Sequence, residues 1–216
     1  MDPLHLCIAL GPVAIYFLVL GIINLSRRPF VTSGTRDAAA LGIAIGGFVI
    51  AGPMELFLPE AAAVRMGFWV WPTCLAFYGL CLSLAVLLMR PRIVIYNVTF
   101  EQLRPSLAEL VLRLDSESRW AGDSLVMPNL GVQLTVESQG MMKNVQLAAA
   151  GNEQSFAGWR RLESELTAVL RHDKGTRNPY GMSLIMFGLL MASAVIYYLS
   201  RDPQGVAQAL NEMLRK

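Results

Sequence analysis

The sequence predicts an α-helical membrane protein: four transmembrane helices with a small α+β cytoplasmic domain, of order β-α-β-β-β-α, inserted between helices 3 and 4. Three observations predict this. Residues 3–26, 38–54, 66–89 and 178–200 carry no Asp, Glu, Lys or Arg, and a helix crosses a bilayer core with about 20 apolar residues. Of the 34 charged residues, 21 crowd into residues 90–178. Apolar residues make up 54% of the 216-residue chain and charged ones 16%, against roughly 45–50% and 25% in ordinary globular domains.

The expected spans are Pro3–Leu25, Ala38–Leu58, Gly67–Met89 and Tyr180–Ser200. The first is expected to be retained, because its head, Met1-Asp2-Pro3-Leu4-His5, lacks the basic residues of a signal peptide. In the second, Ala38, Gly42 and Gly46 recur every four positions and share one helix face. Small residues there admit a close neighbour, either this chain's own spans or a second copy, so a homo-oligomer is possible. Pro53 removes an amide donor and should kink the helix. Glu55 is the one carboxylate inside an expected span and the candidate intramembrane ionisable group. Arg65 or His5 would be its partner if its role is structural. Trp69, Trp71, Tyr180, Tyr197 and Tyr198 stand near span ends, where a ring can bury its body and wet its polar tip.

Orientation is read from Lys and Arg near the span ends. The loop after span 1 holds Arg27, Arg28 and Arg36. The long segment opens with Arg90 and Arg92 and closes with Arg171, Lys174 and Arg177. Facing these to the cytoplasm leaves only Arg65 and Arg201 outside. The expectation is a plasma (inner) membrane protein with both termini outside and residues 91–178 cytoplasmic.

Within the insert, Ile93–Tyr96 reads as a strand. Leu103, Leu107, Leu110, Val111 and Leu114 then form a helical stripe, with Thr99 and Gln102 as an entry cap. Strands follow at Ser124–Met127, Val132–Val136 and Asn144–Ala149, with Ser138-Gln139-Gly140 as a turn. Phe156, Trp159, Leu162, Leu166, Val169 and Leu170 make a second stripe, capped by Asn152 or Ser155. Two helices on one face of a small sheet follow from that order. Short linkers hold the domain at the membrane, where Arg92, Arg171, Lys174 and Arg177 would contact anionic headgroups. Residues 201–216 form an external tail with a weak amphipathic stripe of Val206, Ala209, Leu210, Met213 and Leu214.

Motifs for chemistry are few. Gly122-Asp123-Ser124-Leu125 resembles the nucleophile block of the GDSL-type esterases, which would make Ser124 a nucleophile. That family's downstream Asp-x-x-His is absent, since Val169 stands three before His172. The four residues therefore read as a turn entering a strand. No phosphate loop, dinucleotide glycine pattern or zinc-protease motif occurs, so no catalytic residue, cofactor or metal is expected. Cys7, Cys74 and Cys81 read as apolar packing groups. Asn97-Val98-Thr99 has the glycosylation pattern but is expected on the cytoplasmic side and unmodified. A charge of +2 gives no nucleic-acid platform. The bilayer is the one partner the composition demands. The leading reading is a non-enzymatic interaction or sensing module with a cytoplasmic protein or small-ligand partner. An oligomeric transport or channel component comes second, and a serine hydrolase third.

Overall fold

The computed structural model describes residues 3–54, 67–139, 143–171, 173, 175, 177–201 and 203–215. Glu55, Lys174 and His172 lie outside them. The chain forms two compact units: Met1–Leu20 with Ala39–Leu87 and Ser183–Lys216, and Gly21–Ala38 with Leu88–Met182.

The first unit holds most of the apolar helices α1 (Pro3–Leu25), α2 (Gly34–Val49), α3 (Val70–Leu87) and α6 (Tyr180–Arg201). Four helices, Leu4–Leu25, Gly34–Gly52, Val70–Leu87 and Tyr180–Arg201, are long and apolar enough to cross a membrane. The second begins four residues before the expected Ala38. Gly34, Thr35, Arg36 and Asp37 complete its first turn, which a charge-free window excludes by construction. Near its far end, around Pro53, the helix runs into a π-helical turn, Ile50–Met54. Such a turn accommodates a residue that lacks an amide donor. The tail is the helix α7 (Pro203–Arg215), which touches the 3-10 turn Gly67–Trp69.

Glycines set the helix contacts. A β-carbon on Gly47 would overlap the carbonyl oxygen of Ile8, and one on Gly188 would stand 3.0 Å from Leu18 Cγ. α1 thus receives α2 and α6, and Phe17 meets Phe187 edge-on at 5.4 Å. On the Gly42–Gly46 face of α2 the neighbour is α3: Leu82 fills the space over Gly42, and Tyr78 donates its hydroxyl to Gly42 O at 2.6 Å.

The second unit is built on a six-stranded antiparallel sheet of order β1-β2-β6-β5-β4-β3. Its strands are β1 (Phe30–Ser33), β2 (Arg92–Tyr96), β3 (Arg119–Ala121), β4 (Ser124–Met127), β5 (Val132–Gln139) and β6 (Asn144–Ala149). Two helices, α4 (Phe100–Leu114) and α5 (Phe156–Leu170), pack on it. The sequence pattern accounts for four strands; β1 and β3 are additions. β1 comes from the loop between spans 1 and 2 and pairs Phe30 with Tyr96 and Ser33 with Ile93. β3 is an exposed edge strand returning through Gly122, whose φ of +63 suits glycine. The turn expected at Ser138 also shifts, because β5 continues to Gln139 opposite Asn144.

Period-2 alternation places the core. Ile93 and Ile95 of β2 lie opposite Leu147 and Val145, Val136 opposite Leu147, and Leu134 opposite Leu125. All are buried beneath Leu103, Leu107, Leu110 and Val111 of α4 and Trp159, Leu162, Leu166 and Leu170 of α5. The unbroken apolar run of β2 has a separate cause. Val94 and Tyr96, on its opposite face, are also buried, so alternation would be wrong there. Capping follows the expected chemistry: Thr99 N–H donates to Gln102 Oε1 at 3.4 Å, and Ser155 Oγ accepts from Gly158 N–H at 3.2 Å. Pro105 falls in the second turn of α4, which starts at Phe100.

One buried carboxylate ties the α4–β3 connection to the β4–β5 turn. Asp115 accepts from Glu117 N–H (3.0 Å), Asn129 Nδ2 (2.9 Å), Asn129 N–H (2.8 Å) and Leu130 N–H (3.3 Å). Burial alone would push its pKa up, but these four donors outweigh it and hold the pKa below the ordinary 3.8. The stability it contributes is therefore complete above that value and is lost as pH falls through the lower folded-state value. The melting-temperature gap between wild type and Asp115→Asn should be flat from about pH 5 to 8 and close only in stronger acid. A gap that shrinks near neutrality would show that the clamp does not depend on this carboxylate.

Candidate functional site

The structured feature nearest the span ends is a junction of asparagines and glycines within the sheet unit. Asn97, just after β2, is fully buried and has a φ of 64, a region that asparagine tolerates better than most residues. Its Nδ2 donates to Ile23 O at 2.5 Å and to Arg28 O at 3.4 Å, which ties the sheet to the end of α1. Asn178, 1% exposed, donates from Nδ2 to Asn24 Oδ1 at 3.0 Å and from its backbone N–H to Asn24 O at 3.1 Å. Its own Oδ1 accepts from Tyr180 N–H at 3.1 Å, capping the start of α6. Gly175 N–H donates to Arg27 O at 2.8 Å, and a β-carbon there would stand 2.9 Å from Asn97 O. Lys143 completes the set: Val98 N–H donates to its carbonyl (3.0 Å), and its Nζ donates to Arg177 O (3.0 Å).

Beside this junction is an open depression of 320 Å³, lined by Val98, Thr99, Phe100, Glu101, Ser138, Lys143 and Asn144. Among the described residues, no cluster of three His, Cys, Asp or Glu side chains could hold a metal. Ser124 Oγ lies 3.3 Å from Thr135 Oγ1 across the β4–β5 pair, a contact that provides no general base.

Of the residues singled out from the sequence, Gly42 and Gly46 face α3 within the chain, while Ala38 lies in the sheet unit. Arg92 stands at the start of β2 with its side chain across Gly34, its Nε buried and without a hydrogen-bond partner. Arg171 and Arg177 are exposed beside α5 and before α6. Trp159 is 5% exposed in the core and donates its indole N–H to Gln154 Oε1 at 2.8 Å. Asn24, Asn178 and Lys143 are not singled out by the sequence, and Asn97 only by its glycosylation pattern. For Asn178 the signal was present, since Asn-Pro before an apolar helix is a helix-start pattern. For Asn97 the glycosylation pattern drew attention to the wrong property: a side chain buried against Ile23 O is closed to modification in the folded protein.

No protein-family model, curated protein or solved structure matches the chain.

Proposed function

We propose that the protein is a non-enzymatic sensing or docking module of the plasma (inner) membrane. Its sheet domain faces the cytoplasm, takes up a protein or small ligand there, and passes that event to the spans. Both termini lie outside in this reading, which rests on the excess of Lys and Arg in the first loop and around the insert. The β1–β2 pairing supports it, because two loops that share one sheet must lie on one side of the membrane, as four alternating spans require.

The single observation that carries the coupling is that the sheet unit is not hung on linkers. Residues 21–38 and 88–182 fold as one body, so the end of α1, the start of α2 and the start of α6 are built into it. A partner that displaces the sheet therefore carries these helix ends with it, held by Asn97–Ile23 and Asn178–Asn24. Among the described residues, exposed apolar side chains on the domain's strands and helices include Leu112 (63%), Trp120 (37%) and Phe156 (73%). A photo-crosslinking residue placed at each of these positions in the full chain, in native membranes, should give a discrete adduct at one or more. Absence of a discrete adduct at all three sinks the docking reading.

A further inference from the structure

We infer that Arg27, Arg28, Lys143 and Arg177 form one binding site for the phosphate of an anionic phospholipid. These residues come from three segments distant in sequence, and a closed circuit of hydrogen bonds joins them. Gly175 N–H reaches Arg27 O at 2.8 Å, and Asn97 Nδ2 reaches Arg28 O at 3.4 Å. Val98 N–H, next to Asn97, reaches Lys143 O at 3.0 Å, and Lys143 Nζ reaches Arg177 O at 3.0 Å. Arg177 is two residues from Gly175, which closes the ring.

Arg27, Arg28 and Arg177 are exposed, and none of the three has an ion-pair partner among the described residues. Arg36, by contrast, from the same first loop, is paired with Glu163 at 3.3 Å. Arg27, Arg28 and Arg177 thus remain open to an outside anion. Their place fixes the source of the anion. Arg27 lies two residues past the end of α1 at Leu25, and Arg177 three before the start of α6 at Tyr180. That is headgroup depth for helices that cross a bilayer, where guanidinium groups attract anionic lipid. Arginines that only set topology need no hydrogen bonds joining their backbones, since charge near each span end suffices.

The site rests on α1 and α6 crossing a bilayer and not on partner uptake, so it stands or falls independently of the crosslinking result. Its test is spin-labelled phosphatidylglycerol against spin-labelled phosphatidylcholine, with the full chain reconstituted in symmetric vesicles so that orientation has no effect. Phosphatidylglycerol should associate about fivefold more strongly, with the preference falling as salt rises. The Arg27→Gln/Arg28→Gln/Arg177→Gln variant should bring the ratio near unity. The same three positions changed to Lys should largely keep it, as should Arg160→Gln/Arg161→Gln on the exposed face of α5. Equal association of the two lipids in the wild type overturns the site, as does loss of preference in the α5 variant. Displacement of phosphatidylglycerol by inorganic phosphate at matched ionic strength would overturn the lipid assignment.

Discussion

Replacing Gly158 by valine is expected to destabilise the sheet domain by about 3 kcal/mol, the upper end of the usual overpacking penalty. Gly158 lies in the first turn of α5, and a β-carbon there would overlap the carbonyl oxygen of Leu130 and come within 2.8 Å of Val132 Cγ2. The obstacle is backbone that has little room to retreat. Leu130 N–H is held by Asp115, Gly131 N–H by Pro128 O at 3.1 Å, and Ser155 N–H closes on Gly131 O at 2.8 Å. Alanine separates the two opposing terms. It gains about 1 kcal/mol of helix propensity over glycine, yet it introduces the same overlap, so a smaller net loss is expected. Hydrogen exchange on the full chain in detergent measures both. A Gly158→Ala variant more protected than wild type would mean that propensity wins and that α5 does not pack closely on the 128–131 turn.

That turn illustrates what was legible in the sequence. The apolar spans were readable because crossing a bilayer is a property of local composition, and the stripes of α4 and α5 because helical period is local too. β1 was not. Phe30-Val31-Thr32-Ser33 is four residues between a basic loop and a glycine, and its sheet neighbour among the described residues is β2, beyond two intervening spans. β3 was hidden for the opposite reason: Arg119-Trp120-Ala121 is exposed throughout, so no buried face marks it. The junction is harder still. Asn24, Asn97 and Asn178 are unremarkable apart, and acquire a role only when the fold brings them together. Arg92 shows the limit for charges. Its position beside a span suggests a headgroup contact, but whether a guanidinium reaches the membrane or lies across Gly34 depends on tertiary neighbours.

Gly47→Leu is the second large effect, and its cause lies in the partner helix. Pro12, inside α1, has no N–H to offer the carbonyl four residues earlier, which is that of Ile8. In an apolar medium an unpaired carbonyl costs free energy, and a close Cα–H contact offsets part of it. Gly47 of α2 packs against that oxygen, so closely that only a hydrogen fits where a side chain would begin. The proline therefore creates the polar spot, and the glycine covers it. A leucine at position 47 must push α2 away from α1 and re-expose Ile8 O, so a loss of about 3 kcal/mol is expected, again at the high end of overpacking costs. Gly79→Leu on α3 is the control, because nothing lies within 4 Å of a β-carbon at Gly79. Thermal melts of the two variants in one detergent should separate them clearly. Equal melting temperatures would place the α1–α2 contact elsewhere than at Ile8 and Gly47.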